Sequence, residues 1–593
     1  MTHDVAASVA IAAVVLGTLL AGSLGLRRAR TTGDFYVASR SVSPRWNAAA
    51  IGGEYLSAAS YLGIAGLVLA FGFDMLWYPV CYTAGYLVLL ALVAAPLRRS
   101  GAYTLPDFAQ IRLGSGLVRR IASGLVVLIG WLYLVPQLQG AALALRTQTG
   151  APSWVGGLVV VGVVVAAVAI GGMRSITFAQ ALQFWLKFVA LLVPALVLIG
   201  VWQHRHDGIA HGFPRAPERV TVTVASSLIV RSPVAETLTV RGTVDDVVAD
   251  GPVRFAPGEQ RRLGAGTRVL LNRGDVVPVV SRLPTQRNES WLRPLGSGKD
   301  HPLYATLSLV LAICLGTMGL PHVLVRFYTN PDGRDARRTT LFVLVLLSLF
   351  YLVPTVFGAL GRHYVPDLLL TGDTDATVLT LPGRMIGGEG GVLLGALVTA
   401  GAFAAFLSTA SGLTVSVAGV LSQDLLQPRE WRHHDARGPD DLRALRIRTF
   451  RLAAVGAIGV PYVLSLPSEH LGLAAAVGLA FAVAAATFCP LLILGIWWPR
   501  LTDAGAVAGL AGGGVLATAA VLVTLTADVR HGWTGALLEQ PAAWAVPITF
   551  AVMIAVSLAT RRRIPADVGR VMVRLHAPET LAAELHGLDR SSR

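Results

Sequence analysis

The chain is dominated by long apolar stretches, and these constrain its fold more than any other feature. A bilayer core of about 30 Å needs roughly 20 apolar residues per helix. Thirteen windows of that kind are found, near 5–26, 47–70, 75–97, 120–145, 152–172, 178–202, 303–326, 340–361, 391–420, 449–466, 470–496, 504–527 and 542–560. Only 14% of the 593 residues are charged, and the mean hydropathy is +0.62. Soluble domains carry about 25% charged residues. The fold class expected is an all-α polytopic membrane protein. Its first window lacks the basic leader of a signal peptide, carrying His3 and Asp4 there and Arg27, Arg28 and Arg30 behind it.

Several chemistries are excluded by residue type. Lys187 and Lys299 are the chain's two lysines, and neither closes a phosphate-binding loop of the form Gly-x4-Gly-Lys-Ser/Thr. Cys81, Cys314 and Cys489 are scattered through apolar runs, which suits neither a metal cage nor disulfides. Neither a His-Glu-x-x-His nor a paired acid/base constellation is present, so no enzyme is expected. The formal charge of +15 fits basic loops at a membrane face rather than nucleic acid. With the N-terminus outside, the inner loops and tail gather 30 arginines against 4 in the short outer loops. That imbalance predicts an outer N-terminus and a cytoplasmic C-terminus in the cytoplasmic (inner) membrane.

Residues 203–302 interrupt the apolar pattern on the outer side. Val220-Thr-Val-Thr-Val and Thr237-Leu-Thr-Val alternate as strands do, and Ala256-Pro257-Gly258 and Arg273-Gly274-Asp275 read as turns. A small β-rich extracytoplasmic insertion is expected, as a cap, a partner-binding module or a neutral decoration. Its partner is not named by the sequence.

Four stretches carry a resemblance. Gly52-Gly-Glu-Tyr-Leu-Ser-Ala-Ala-Ser-Tyr-Leu-Gly63 is followed by Tyr103-Thr-Leu-Pro-Asp-Phe108. Gly316-Thr-Met-Gly-Leu-Pro-His-Val-Leu-Val-Arg-Phe327 opens a second half, and Ala405-Phe-Leu-Ser-Thr-Ala-Ser-Gly-Leu413 leads to Ser422-Gln-Asp-Leu425. In this order they resemble the sodium/solute symporter family, and within it the acetate (monocarboxylate) branch. The resemblance covers nearly all of 1–500 except 203–302. It implies a LeuT-like core of two inverted five-helix repeats. The organisation expected is an extra helix and cytoplasmic loop at 1–46, a first repeat at 47–202, the insertion at 203–302 and a second repeat at 303–500. Two further helices at 501–561 and a cytoplasmic tail at 562–593 complete it. The residues agree independently: Gly52-Gly53 and Gly316-x-x-Gly319-x-Pro321 are paired interruptions in the first helix of each half, the expected pointer to a transporter site.

The resemblance further implies a sodium site joining the broken helix to the 391–420 span. Gly53, Leu56 and Ala405 would offer carbonyls, and Ser408 and Thr409 hydroxyls. Ala405 lies one turn before both, so that three oxygens share a helix face. Small-residue packing or back-bonding to the preceding turn would use the same hydroxyls. Some acetate-branch members carry apolar residues at those two positions, so the hydroxyls favour sodium over protons.

A small carboxylate would dock on N–H groups freed around Tyr55, Ser57 and Ser60, or around Thr317 and Met318. Tyr55, Tyr61, Tyr133 and Trp185 are candidate walls, and Gln137 and Gln139 candidate polar contacts. Glu54 is a carboxylate inside a span. It is a coupling candidate that would tune the cation, pair with Lys187 or Arg326, or carry a proton. His322 and Arg326 are gating candidates, Arg326 alternatively reaching lipid headgroups. The function expected is a sodium-coupled symporter importing a small monocarboxylate such as acetate, with no other cofactor. The alternatives are another solute of the same family (proline, pantothenate, a sugar) or a membrane sensor on the same fold.

Overall fold

The computed structural model describes residues 3–26, 43–205, 208, 211–296, 298, 300–425, 439–467, 472–526 and 532–577. The expected loop before residue 43 and the tail after 577 lie largely outside the described residues. Helix α1 (His3–Leu26) precedes α2 (Pro44–Tyr55), a π-turn (Ala59–Gly63), α3 (Ile64–Phe71) and α4 (Trp77–Leu92). Next come α5 (Gly116–Thr149) and α6 (Ser153–Arg205). After the insertion, the chain continues through α7 (Pro302–Thr317), α8 (Pro321–Val325) and α9 (Gly333–Tyr364). The last long helices are α10 (Gly388–Val420), α11 (Pro439–Ser465), α12 (Leu473–Trp497), α13 (Asp503–Thr526) and α14 (Ala542–Ala559).

Among the described residues, 11 helices are long and apolar enough to cross a membrane, against the thirteen windows. The difference has two sources. The second window breaks at Leu56–Ala58, and its second half runs into the third window as one stretch, Ala59–Leu92. The fifth and sixth windows share one helical segment of 53 residues, whose apolar parts are Ser153–Ala169 and Ile176–Arg205. At 1.5 Å per residue that segment is long enough for two crossings.

Two of the quoted motifs meet at one end of the bundle. Thr104 and Asp107 form a capping box, each satisfying the other's backbone N–H. Arg119 then bridges Asp107 at 2.8 Å and Asp424 at 2.7 Å, while Ser123 donates to Asp424. Residues more than 300 positions apart are thereby held by one guanidinium.

Between α6 and α7 the chain forms a seven-stranded antiparallel sheet. Its strands are β1 (Val220–Thr223), β2 (Leu228–Arg231), β3 (Glu236–Val244), β4 (Val247–Phe255), β5 (Gln260–Leu263), β6 (Arg268–Leu271) and β7 (Val279–Val280). The order is β1-β6-β3-β5-β2-β7, with β4 paired to β3. Asp245 and Asp246, both at positive φ, make the two-residue turn between β3 and β4, matching strand twist as such turns do. Leu238, Val240, Phe255, Leu263, Val269 and Leu271 fill its core.

This unit is bolted to the helices. Buried Trp291 donates its indole N–H to Val68 O at 2.7 Å, at the end of α3. Its own carbonyl packs against Gly72, where a Cβ would come within 2.1 Å. Gly72 also has φ of 82°, so two constraints demand glycine there. Arg362 of α9 lies over the Trp291 ring and donates to Asn288 Oδ1, Gln286 O and Leu69 O. These contacts clamp the sheet to the ends of α3 and α9. Trp291→Ala removes the anchor, and such truncations cost about 3–5 kcal/mol. Hydrogen exchange across 212–295 should accelerate in this variant, while α5 and α10 keep wild-type protection.

Candidate functional site

Both expected interruptions exist, and the first lies slightly later than the sequence suggested. Gly52 and Gly53 remain helical. Their role is close approach: a Cβ on Gly53 would fall 2.2 Å from Gln180 O of α6, and one on Gly52 2.9 Å from the Phe184 ring. The backbone leaves the helix at Leu56, with ψ of 84°, and resumes in the π-turn at Ala59. The second break, between Thr317 and Pro321, falls inside the expected motif.

Each break frees backbone groups that lipid cannot satisfy. Ala58 N–H donates to Gln137 Oε1 of α5 at 2.8 Å. Glu54 O accepts from Thr409 at 2.7 Å, and Gly53 O lies 2.7 Å from the Ser408 hydroxyl. Ser408 also stands 3.1 Å from Ala405 O. Gly53, Leu56, Ala405, Ser408 and Thr409 thus come together where α2 crosses α10, all buried.

The centre of that arrangement holds the side chain of Lys187, from α6. Its Nζ donates to Gly53 O, to Leu56 O at 2.7 Å and to Ser408 Oγ at 2.8 Å. Lys187 is fully buried. An ammonium has three N–H donors, and all three are used. The family resemblance implies sodium at this place, but the residues present do not fit it. Three of its expected oxygen ligands are committed to an amine of this chain.

A second buried charge group adjoins. Glu54 accepts from Arg326 Nε at 2.7 Å, and both are about 1% exposed. Arg326 also donates to Thr177 and Gln180, and Gln180 donates to Ser408 O at 2.7 Å. Of the alternatives for Glu54, the pairing with Arg326 is the one formed. Arg326 does not reach headgroups.

The expected substrate residues separate into two sets. Tyr55, Ser57, Ser60, Tyr133, Gln137, Thr317 and Met318 are buried around the two breaks. Tyr55 reaches Thr317 Oγ1 at 3.1 Å, linking the breaks directly. Ser60 pairs with Tyr351 at 2.9 Å, and Tyr133 lies edge-on to His322, ring centres 5.0 Å apart. Trp185, 49% exposed, faces outward from α6 and is no wall. Tyr61 is buried but bonds Val398 O. Gln139 lines a separate cleft of about 60 Å³ with Arg146, Asp373 and Asp375.

Tyr82, Tyr86, Tyr351 and Phe481 were missed. They enclose the same region, Tyr82 stacking on Tyr351 at 5.5 Å and Tyr86 edge-on to Tyr55 at 4.8 Å. Their spacing offers no signal beyond buried aromatics. Ser57 Oγ, the hydroxyls of Tyr82 and Tyr86 and both His322 nitrogens have no hydrogen-bond partner among the described residues.

The sodium:solute symporter family model matches residues 35–238 and 280–513. The chain belongs to that family. Being in it, with 11 helices among the described residues long and apolar enough to cross a membrane, it is an integral membrane transporter. It is 29% identical to an uncharacterized symporter of Cupriavidus necator, over 90% of this chain and 88% of that one. An uncharacterized symporter of Bacillus subtilis is 28% identical, over 91% of each. A monocarboxylic acid transporter of Corynebacterium glutamicum is 29% identical, over 87% of this chain and 84% of that one. In fold the chain resembles a Na+-coupled sialic acid symporter, with TM-score 0.62, 13% identity and coverage of 94% and 98%. It also resembles a nucleobase-cation-symport-1 family transporter, with TM-score 0.50, 13% identity and coverage of 92% and 99%. These solved structures speak for the LeuT-like fold alone.

Helix contact at Gly53 gives a direct test. In Gly53→Ala the added methyl meets backbone, which cannot yield as a side chain end does. Gly419→Ala on α10 meets nothing within 4 Å. The first variant should lose most folded protein, and the second should match wild type, as read by monodispersity and Tm in detergent.

Proposed function

We propose that this chain is a cation-coupled symporter that imports a small monocarboxylate, acetate foremost, across the cytoplasmic membrane. The observation carrying the reading is the set of unpartnered polar atoms beside the breaks. Buried polar atoms are hydrogen-bonded in all but a few cases. Ser57, Tyr82, Tyr86 and His322 present such atoms within walls of tyrosine and phenylalanine. A carboxylate accepts several hydrogen bonds, and a short alkyl end suits aromatic walls.

Charge supports an anion. Lys187, Arg326 and Glu54 sum to one positive charge in a buried region. An anionic solute offsets that charge, whereas a zwitterion or a sugar does not. The relative named as a monocarboxylic acid transporter is consistent with this class.

In this reading, 47–202 and 303–500 form two inverted repeats around the solute, and the basic loops set an outer N-terminus and an inner C-terminus. Tyr55 and Thr317 join the two breaks across the site, so solute contact with either is felt by both. Glu54 and Arg326 hold α2 to the end of α8, with His322 one turn earlier as a gating candidate.

Purified chain in proteoliposomes, preloaded with unlabelled acetate, should take up labelled acetate by exchange. Competition should be strongest among C2–C4 monocarboxylates and absent for proline, pantothenate and glucose. Ser57→Ala should raise the half-saturating acetate concentration about 5–10-fold, as expected for about 1–1.5 kcal/mol from one lost hydrogen bond. Strong competition by proline or glucose, with none by propionate, would reject the carboxylate.

A further inference from the structure

The family takes its name from a mobile alkali ion, and the place for that ion is occupied here by part of the protein. We propose that the Lys187 ammonium is the built-in cation of this symporter, so that transport needs no sodium at this place. The inference rests on the symport reading above but not on which carboxylate is carried.

The argument is geometric. Gly53 O and Leu56 O are carbonyls at the break in the first core helix, and Ser408 is on α10. These are oxygens that an alkali ion would need. They converge on Nζ and match its three donors one for one. A hard cation takes ligand oxygens at short range. It cannot take these while the amine holds them, and a second positive charge a few ångströms away would be strongly repelled in a medium of low dielectric. The lysine is also rooted to do this: α6 touches α2 without side chains between them at Gly53, which brings residue 187 within reach of the break.

The test uses the full chain. In detergent, wild-type Tm should be the same within about 1 °C in sodium chloride and in choline chloride. Lys187→Ala uncovers the oxygens and should be stabilised by sodium but not by choline. In proteoliposomes, with protein-free vesicles subtracted, wild-type acetate uptake should proceed in sodium-free buffer, and an inward sodium gradient at equal pH should leave its initial rate unchanged. A saturable sodium rise in wild-type Tm, or a sodium requirement for wild-type uptake, would overturn the proposal, as would a Lys187→Ala variant that folds and gains no stabilisation from sodium. Should that variant fail to fold, the wild-type arms still decide. Absence of acetate exchange would instead reject the solute, leaving the sodium test of Tm intact.

Discussion

The obligation to satisfy backbone groups where a helix breaks inside a membrane organises this molecule. Water is not available there, so each freed N–H or C=O must find a partner in protein or ligand. At Leu56–Ala58 the partners come from three directions: Gln137 on α5, Lys187 on α6, and Ser408 and Thr409 on α10. The break therefore determines which helices must be neighbours. It also makes the crossing a single cooperative unit, because Gln180 joins Ser408 to Arg326 and Arg326 joins Glu54.

Burying charge at such a place is costly unless every member is paired. Arg326 has a carboxylate, a hydroxyl and an amide as partners, and Lys187 has three oxygens. Counted as ions, the three side chains leave one positive charge, and this is the basis for proposing an anionic solute. In the proposal made above, the cation and the helix crossing belong to the same chain.

The insertion bears on the same machinery from the other direction. Trp291 and Arg362 join the sheet to the ends of α3 and α9. Helix α3 continues directly from the π-turn after the break. The sheet is thus anchored to the helix that continues from the first break. Residues 239–279, most of the sheet, lie between the two parts matched by the family model, whereas the clamp residues Trp291 and Arg362 lie within the second part.

Much was legible in the sequence because it depends on composition and spacing. Apolar windows gave most of the membrane-length helices, alternating Val and Thr gave strands, and Gly316–Pro321 placed the second break. Ala405, Ser408 and Thr409 share a helix face by periodicity alone. Local pattern does not carry contact between distant segments. Gly52 and Gly53 look like a break yet serve a close crossing with α6, because a missing Cβ has the same signature in both uses. Tyr82, Tyr86, Tyr351 and Phe481 read as ordinary core until folding sets them around the same region. Lys187 stands 131 residues from Leu56 and 221 from Ser408. That its amine fills the cation's place follows from where α6 packs, a decision made by tertiary contact and not by any motif.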